Sequence, residues 1–360
     1  MQSLSRVEIQ DLLLGCAILG SGGGGALPQG MAMIDQVLAD GAEIQLIDVD
    51  EIDDEALLGC PYMCGSVSIE VAEQVPFFLA AATDAYRAMT RHMSAILDAV
   101  IATELGGMNT AVALAVAAQA GCPTVDGDAA GRAVPELQHS TFAVQNLPIT
   151  PIAAGDGEGG SLLIAAVSND LMAEKVVRGL AAQSPFGAVG VIDHVARFSD
   201  LRNAFLPRTL TNALHMGRSC SEAKQTRQVL EDLVSEWGGR VVFRGTVDDV
   251  TETNRGGFTF GEIAVRGTGT FEGSVCRVWS KNENLAVWCD DAPILSVPDI
   301  ICVFDDVSYA PVVNPACQVG EAVSVIGLPS PAVWTTPRGL DLLGPRSFEL
   351  DFDYFACCSS

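Results

Sequence analysis

The stretch that most constrains this chain is Gly20-Ser21-Gly22-Gly23-Gly24-Gly25. Glycine has no side chain to pack, so such a run is a turn needing positive φ, or a backbone that another group must approach closely. An apolar helical pattern over residues 4–19 precedes it, with Ser3 or Ser5 as the cap, and a second helix is predicted over 30–39. Backbone N–H groups freed beside a helix start can hold an anion. The plainer alternative is a flexible link between two helices. On the anion reading, Ser21, Gly22, Gly23 and Gly24 are substrate-binding candidates. Gly20, Gly22 and Gly25 match the spacing of a dinucleotide fingerprint, but a helix rather than a strand leads into them, which argues against that fold.

Beyond the glycine run, strand, glycine turn and helix alternate. A buried strand over 99–103 ends in Glu104, Gly106-Gly107 follow, and a helix is predicted over 109–120. The strand from residue 123 ends in Asp126-Gly127-Asp128. This rhythm predicts an α/β layer with parallel strands, whose ligands gather outside the carboxyl ends of the strands. Residues 57–67 read as strand-to-turn punctuation, and 69–90 as a helix kinked or restarted at Pro76. Residues 150–161 read as a loop or closing hairpin. A helix over 169–183 and a strand over 187–192 then open the second half, followed by helices broken at Gly217. From residue 241 apolar and polar residues alternate between glycine and asparagine turns, which predicts an antiparallel β-rich unit. The expected fold is therefore α/β with two domains: a layered α/β domain over 1–166 and a mixed α+β, β-rich domain over 167–360.

Composition narrows the function. A length of 360 residues with 49% hydrophobic content supports two sizeable cores. A net charge of −25 excludes nucleic acid as a natural partner and argues against a basic membrane anchor. No apolar run reaches the ~20 residues of a membrane span, and no signal-peptide pattern opens the chain. The eleven cysteines are scattered through apolar runs, as free thiols in a reducing compartment would be, so a cytoplasmic protein is expected. Cys60 and Cys64 lack a matching downstream Cys/His pair, so structural zinc is not expected. The expected partner is a small-molecule substrate, and the expected state a homo-oligomer.

Candidate chemistry concentrates at the predicted strand ends. Carboxylates brought together there raise one another's pKa, and one can then act as a general base near neutrality. Glu104, Asp126 and Asp128, with Glu136 nearby, are that group, and their oxygens could instead hold a divalent metal ion. Arg132, in a glycine-proline turn, could clamp a carboxylate or a polarised carbonyl, or else make a structural ion pair. Asn109 could orient a ring. In Lys281-Asn282-Glu283-Asn284, the lysine and Asn282 could contact substrate, although asparagine also favours turns. Of four histidines, His194, directly after Asp193, is the best ligand or base candidate, the alternative being a satisfied core histidine. No nucleophile elbow and no P-loop is present.

These motifs resemble one family. Leu19 with the glycine run, Glu104-Leu105-Gly106-Gly107-Met108-Asn109, Asp126-Gly127-Asp128 and above all Gly131-Arg132-Ala133-Val134-Pro135-Glu136 are similar to the S-methyl thiohydantoin desulfurase-like family. The 281–284 segment, Pro298-Asp299, Gly344-Pro345-Arg346 and Asp353-Tyr354 fit its carboxyl-terminal domain. The resemblance implies a two-domain α/β fold and hydrolytic loss of a thiol from a thiohydantoin ring, leaving a hydantoin. It also implies kinship with partners of hydantoinase/oxoprolinase proteins. The expected function is thus a hydrolase of a small heterocyclic amide or thioamide ring. The alternative is a non-catalytic, ligand-binding partner of a hydantoinase-like enzyme. Tyr62, Cys60 and Cys64 depart from the small residues usual at 59–65 and could reshape the pocket.

Overall fold

The computed structural model describes residues 1–65, 75–184, 186–226 and 228–357. Among these, two sheets share the chain. The first contains β1 (Gln2–Ser3), β2 (Gln45–Ile47), β3 (Leu57–Gly65), β4 (Ala99–Ala102) and β5 (Thr124–Asp128). It also takes β6 (Ile152–Gly155), β7 (Ser161–Ile164), β8 (Ala188–Arg197) and β9 (Leu206–Pro207). Its order is β1-β2-β5-β4-β3-β8-β6-β7, with β9 paired beside β5. The stretch β2-β5-β4-β3 is parallel, as the strand–turn–helix rhythm predicts. Helices α1 (Arg6–Leu19), α2 (Leu27–Ala39), α3 (Val75–Met93) and α4 (Asn109–Ala120) are interleaved with these strands, and α5 (Thr141–Val144), α6 (Asp170–Gln183), α7 (Phe198–Leu201) and α8 (Thr209–Thr226) come later in the chain.

Sequence explains much of this. Ser5 and Glu8 form a reciprocal cap at the start of α1. On β4, Val100 and Ala102 enter the core beneath α1–α4, while Ala99 and Ile101 enter a second core with Phe142, Phe198 and Phe205. A strand buried on both faces reads as a continuous apolar run, as 99–102 does.

Four readings of the sequence need correction. Residues 57–65 form one buried strand rather than a strand and turn. The helix read over 69–90 runs from Val75 to Met93 with Pro76 in its first turn, where the missing N–H costs nothing; residues 66–74 lie outside the described residues. The strand read as part of the second half is β8, which lies antiparallel between β3 and β6 in the first sheet. Gly217 does not break a helix: it lies inside α8 (Thr209–Thr226), where a Cβ would strike the backbone of Asp11 on α1. That glycine serves close helix packing.

The second sheet is antiparallel throughout. Its strands are β10 (Arg240–Arg255), β11 (Phe258–Gly267), β12 (Val275–Lys281), β13 (Glu283–Cys289), β14 (Ala292–Ser296), β15 (Ile300–Asp305), β16 (Ala310–Pro311) and β17 (Ala322–Leu328). They are ordered β14-β13-β12-β11-β10-β17-β15-β16. One core lies on this sheet around Phe243, Val265, Val303 and Val325. Another joins Ile300, Phe304 and Ile326 to Ile18 of α1 and Cys220 of α8. The α1/α8 pair therefore mediates between the sheets, and the glycine run leaves α1 where they meet. No helix among the described residues is long and apolar enough to cross a membrane.

Candidate active site

The glycine run is a wedge between the sheets. Gly24 carbonyl accepts from the N–H groups of Met108 and Asn109, at 3.0 and 2.9 Å, which fixes the start of α4. On the other side, Ser21 carbonyl accepts from Asn284 N–H at 2.7 Å, and Ser21 Oγ from Ile301 N–H at 3.1 Å. A Cβ at Gly23 would fall on the Glu283 carboxyl, and one at Gly24 would lie 2.6 Å from Gly106 Cα. Close approach, with φ of +67° at Gly24, therefore explains the run; the flexible-link reading does not. Ser21, Gly22 and Gly23 face the second sheet, whereas Gly24 and Gly25 line a cleft.

That cleft is lined from β3, β8, the turn after β4, the 134–140 loop and the β12–β13 reversal. Its deepest feature is made by a β-bulge. The register between β3 and β8 shifts between Leu58↔Ala196 and Cys60↔Asp193, so two residues of β8, His194 and Val195, stand against Gly59 alone on β3. His194, in that bulge, has φ of +45°, a costly conformation for a non-glycine residue. In a regular strand Asp193 and His194 would point to opposite faces. The bulge brings them together: His194 Nδ1 lies 2.8 Å from Asp193 Oδ1, and Asp193 Oδ2 accepts from Tyr62 hydroxyl at 2.7 Å. All three are buried and line the cleft. Phe142 stacks on the imidazole at 4.5 Å, and Nε2 has no hydrogen-bond partner among the described residues. With Nδ1 donating to Asp193, Nε2 carries the free lone pair.

Glu104 and Glu283 bring two further carboxyls to the cleft. Glu104 accepts from Asn109 Nδ2 at 2.7 Å and from Val134 N–H at 2.8 Å, and burial pushes it up to about 7 against those bonds. Asn109 also ties Met63 through its backbone N–H at 3.0 Å, so it orients Glu104 and β3. Burial, reinforced by the nearby Glu104 charge, pushes Glu283 up to about 8. Its Oε2 is buried without a partner among the described residues. Glu283 reaches the cleft because Asn282 reverses the chain in one residue, at φ of +61°, with its side-chain oxygen on Thr259 N–H at 2.9 Å. Lys281 pairs with Glu136 and lies over Phe258 at 4.1 Å. Asn282 and Glu136 line the cleft.

Three of the four catalytic candidates read from the sequence lie elsewhere, and Lys281 is not among the residues lining the cleft. Asp126 is held by Thr211 through both N–H and hydroxyl, at 2.9 and 2.6 Å. Asp128 Oδ2 accepts from the N–H groups of Ala130 and Gly131, at 2.9 and 2.6 Å, and burial raises this carboxyl to about 7. Arg132 is wholly buried; its guanidinium binds the carbonyls of Ala133, Pro298, Asp299 and Asn284, bolting the 131–135 loop to the second sheet. None of the three lines the cleft. Cys64 does, but burial pushes its thiol up to about 12, so it is no thiolate near neutrality. Among the described residues no three His, Cys, Asp or Glu converge to hold a metal. The proposed acid set does not fit one either, since Glu104 lines the cleft while Asp126 and Asp128 do not, and each of the three accepts from internal donors.

Family models account for the chain from end to end. The amino-terminal domain model of the S-Me-THD-like family matches residues 7–166, and the carboxyl-terminal domain model matches residues 168–357. The chain belongs to the S-Me-THD-like family. A crystal structure of a protein from Chromobacterium violaceum has the same fold as this S-Me-THD-like chain, with a TM-score of 0.77 at 22% identity. The match covers 99% of this chain and 100% of the other. No curated protein matches the chain. In this S-Me-THD-like chain the parts hardest to see in the sequence were Glu283, hidden inside an asparagine turn, and the bulge at His194. The one available signal was the Asp193-His194 pair at the end of an apolar run.

Proposed function

We propose that the cleft hydrolyses a small heterocyclic ring of the S-methyl thiohydantoin or hydantoin type. The observation that carries this reading is the His194 imidazole, strained into the cleft by a bulge, held at Nδ1 by Asp193, and unpartnered at Nε2 among the described residues. A histidine so oriented is a general base. Tyr62 is a positioning residue, fixing the Asp193 carboxylate. The base role that the sequence suggests for Asp126 or Asp128 passes to His194, because neither aspartate lines the cleft and each accepts framework bonds.

In this reading, His194 Nε2 takes a proton from water as the oxygen bonds to the ring carbon bearing the S-methyl group. The C=N pair moves onto the ring nitrogen, which takes the proton of the Glu283 carboxyl. The tetrahedral carbon then re-forms a carbonyl, its hydroxyl proton returning to Glu283. The C–S bond breaks, and methanethiol leaves with the proton held on His194. The products are a hydantoin and methanethiol, and both side chains are restored. Glu104 and Asn109 line the ring's path and orient it.

All cysteines among the described residues are free, which suits a reducing cytoplasm. Homo-oligomerisation is part of the proposal, to be read by sedimentation. The decisive assay incubates the purified protein with S-methyl thiohydantoin and follows thiol release, with and without added divalent metal. Catalytic release supports the hydrolase. Saturable binding without release under every condition would favour the ligand-binding partner instead.

A further inference from the structure

We propose that β7 is the contact through which two copies of this chain pair, edge to edge and antiparallel about a twofold axis. The inference gives the homo-oligomer of the reading above its surface. It rests on that part of the reading alone, not on the hydrolase chemistry.

Five strands end the two sheets, and four of them are guarded against pairing with another molecule. β1 has only two residues, Gln2 and Ser3. β9, beside β5, is Leu206-Pro207, and β16 is Ala310-Pro311. β14 carries Pro293, and a proline has no N–H to give to a neighbouring strand. β7 has none of these devices. It is Ser161-Leu162-Leu163-Ile164, in regular register with β6 and without proline, charge or bulge. Among the described residues, the backbone of 161–168 bonds to β6 alone, so the outer side of the strand is left open.

Its side chains are open as well. Leu162 and Leu163 point to opposite faces of the sheet, yet they are 45% and 36% exposed. Leu171 and Met172, in the first turn of α6, are 50% and 43% exposed. Of the twelve large apolar side chains exposed among the described residues, these four fall within one stretch of eleven. An apolar run at an unguarded sheet edge is a template for another strand.

Charge and symmetry select a second copy as that strand's source. The chain carries −25, so two copies repel wherever their acids meet. Residues 159–169 hold no charged side chain and form a neutral strip on which two such molecules can touch. Antiparallel pairing centred on the two leucines sets Asp156 and Glu158 of one copy beside residues 167–169 of the other, so the acidic turns stay apart. Parallel pairing would set acid against acid. The twofold arrangement also closes on itself. Each β7 spends its open side on the other, and the guarded edges leave nothing to extend the pair into a filament.

Sedimentation velocity of the purified full chain tests this. The wild type should sediment as a dimer or an even multiple of one. Leu162→Lys/Leu163→Lys puts a charge on each face of the edge and should halve that mass, with an unchanged urea midpoint because both positions are exposed. Val307→Lys, at an exposed apolar position in the turn after β15, should keep the wild-type mass. Hydrogen exchange on the wild type reads the same contact without a variant. Amides of 161–165 that lack a partner within the chain should exchange about 10²-fold slower than unprotected amides. A folded double-lysine variant that keeps the wild-type mass, or unprotected exchange at every one of those amides, would overturn the β7 contact and leave the homo-oligomer standing. A wild type that is monomeric at every concentration would overturn both and leave the edge to a chain of different sequence.

Discussion

At the scale of single residues, function turns on where protons sit. Asp193 gives His194 its tautomer and Tyr62 gives Asp193 its orientation, so the three should fail unequally. Tyr62→Phe should cost about tenfold in kcat with little change in KM, because it loosens a partner of the base rather than the base. Glu283 acts as an acid in the proposed step, so turnover should fall as pH rises through about 8, where burial places its carboxyl. Glu283→Gln should slow the reaction and abolish that basic limb in a pH–rate profile. A limb that persists in the variant would assign it to another group. The same raised carboxyls bear on stability. Glu104, Asp128 and Glu283 have ordinary values of 4.5, 3.8 and 4.5, and in the fold they lie at about 7, 7 and 8. The folded state therefore holds more protons than the unfolded chain above about pH 4.5, and stability falls with rising pH in that range. Their contribution is complete below the unfolded values and lost as pH passes through 7 to 8. Denaturant midpoints should accordingly be lower at pH 8.5 than at pH 6; equal midpoints would contradict this.

At the scale of elements, two irregularities build the site, and they differ in legibility. The glycine run is visible in the sequence, because only a tight or crowded backbone needs so many glycines. Its purpose needed the structure: Gly23 clears the Glu283 carboxyl and Gly24 clears Gly106. Gly24→Ala combines an unfavourable φ of +67° with a clash, and should cost on the order of 1–3 kcal/mol in urea unfolding. A neutral Gly24→Ala would show that the wedge is not tightly held. The β8 bulge could not be read, because a bulge is defined by the partner strand, and β3 lies some 130 residues earlier in the chain. Regular alternation predicts that Asp193 and His194 face apart, which hides their pairing. Gly217 was misread for a similar reason: a helical glycine made by packing against α1 looks, in one dimension, like a helix end. The parallel strands were legible because each carries its own turn and helix beside it in sequence.

At the scale of the whole molecule, the cleft exists because two sheets meet across the glycine run. The first sheet supplies Tyr62, Glu104, Asp193 and His194; the second supplies Asn282 and Glu283. Arg132 is the bolt between them, reaching the carbonyls of Pro298, Asp299 and Asn284. Arg132→Met should leave those buried carbonyls and the nearby Glu283 and Asp299 without their cation, at a cost of about 3 kcal/mol. Activity should fall in step with the folded fraction. A variant that unfolds at the normal urea midpoint yet loses turnover would restore Arg132 to a role in the chemistry. The central claim is that His194 works as the base of a hydrolytic site closed by both sheets. The most direct measurement is the rate of methanethiol release from S-methyl thiohydantoin by the wild type and by His194→Gln, both checked for intact fold. The account predicts steady turnover by the wild type and a loss in kcat on the order of 10²–10⁴-fold in the variant; equal rates for the two proteins would contradict it.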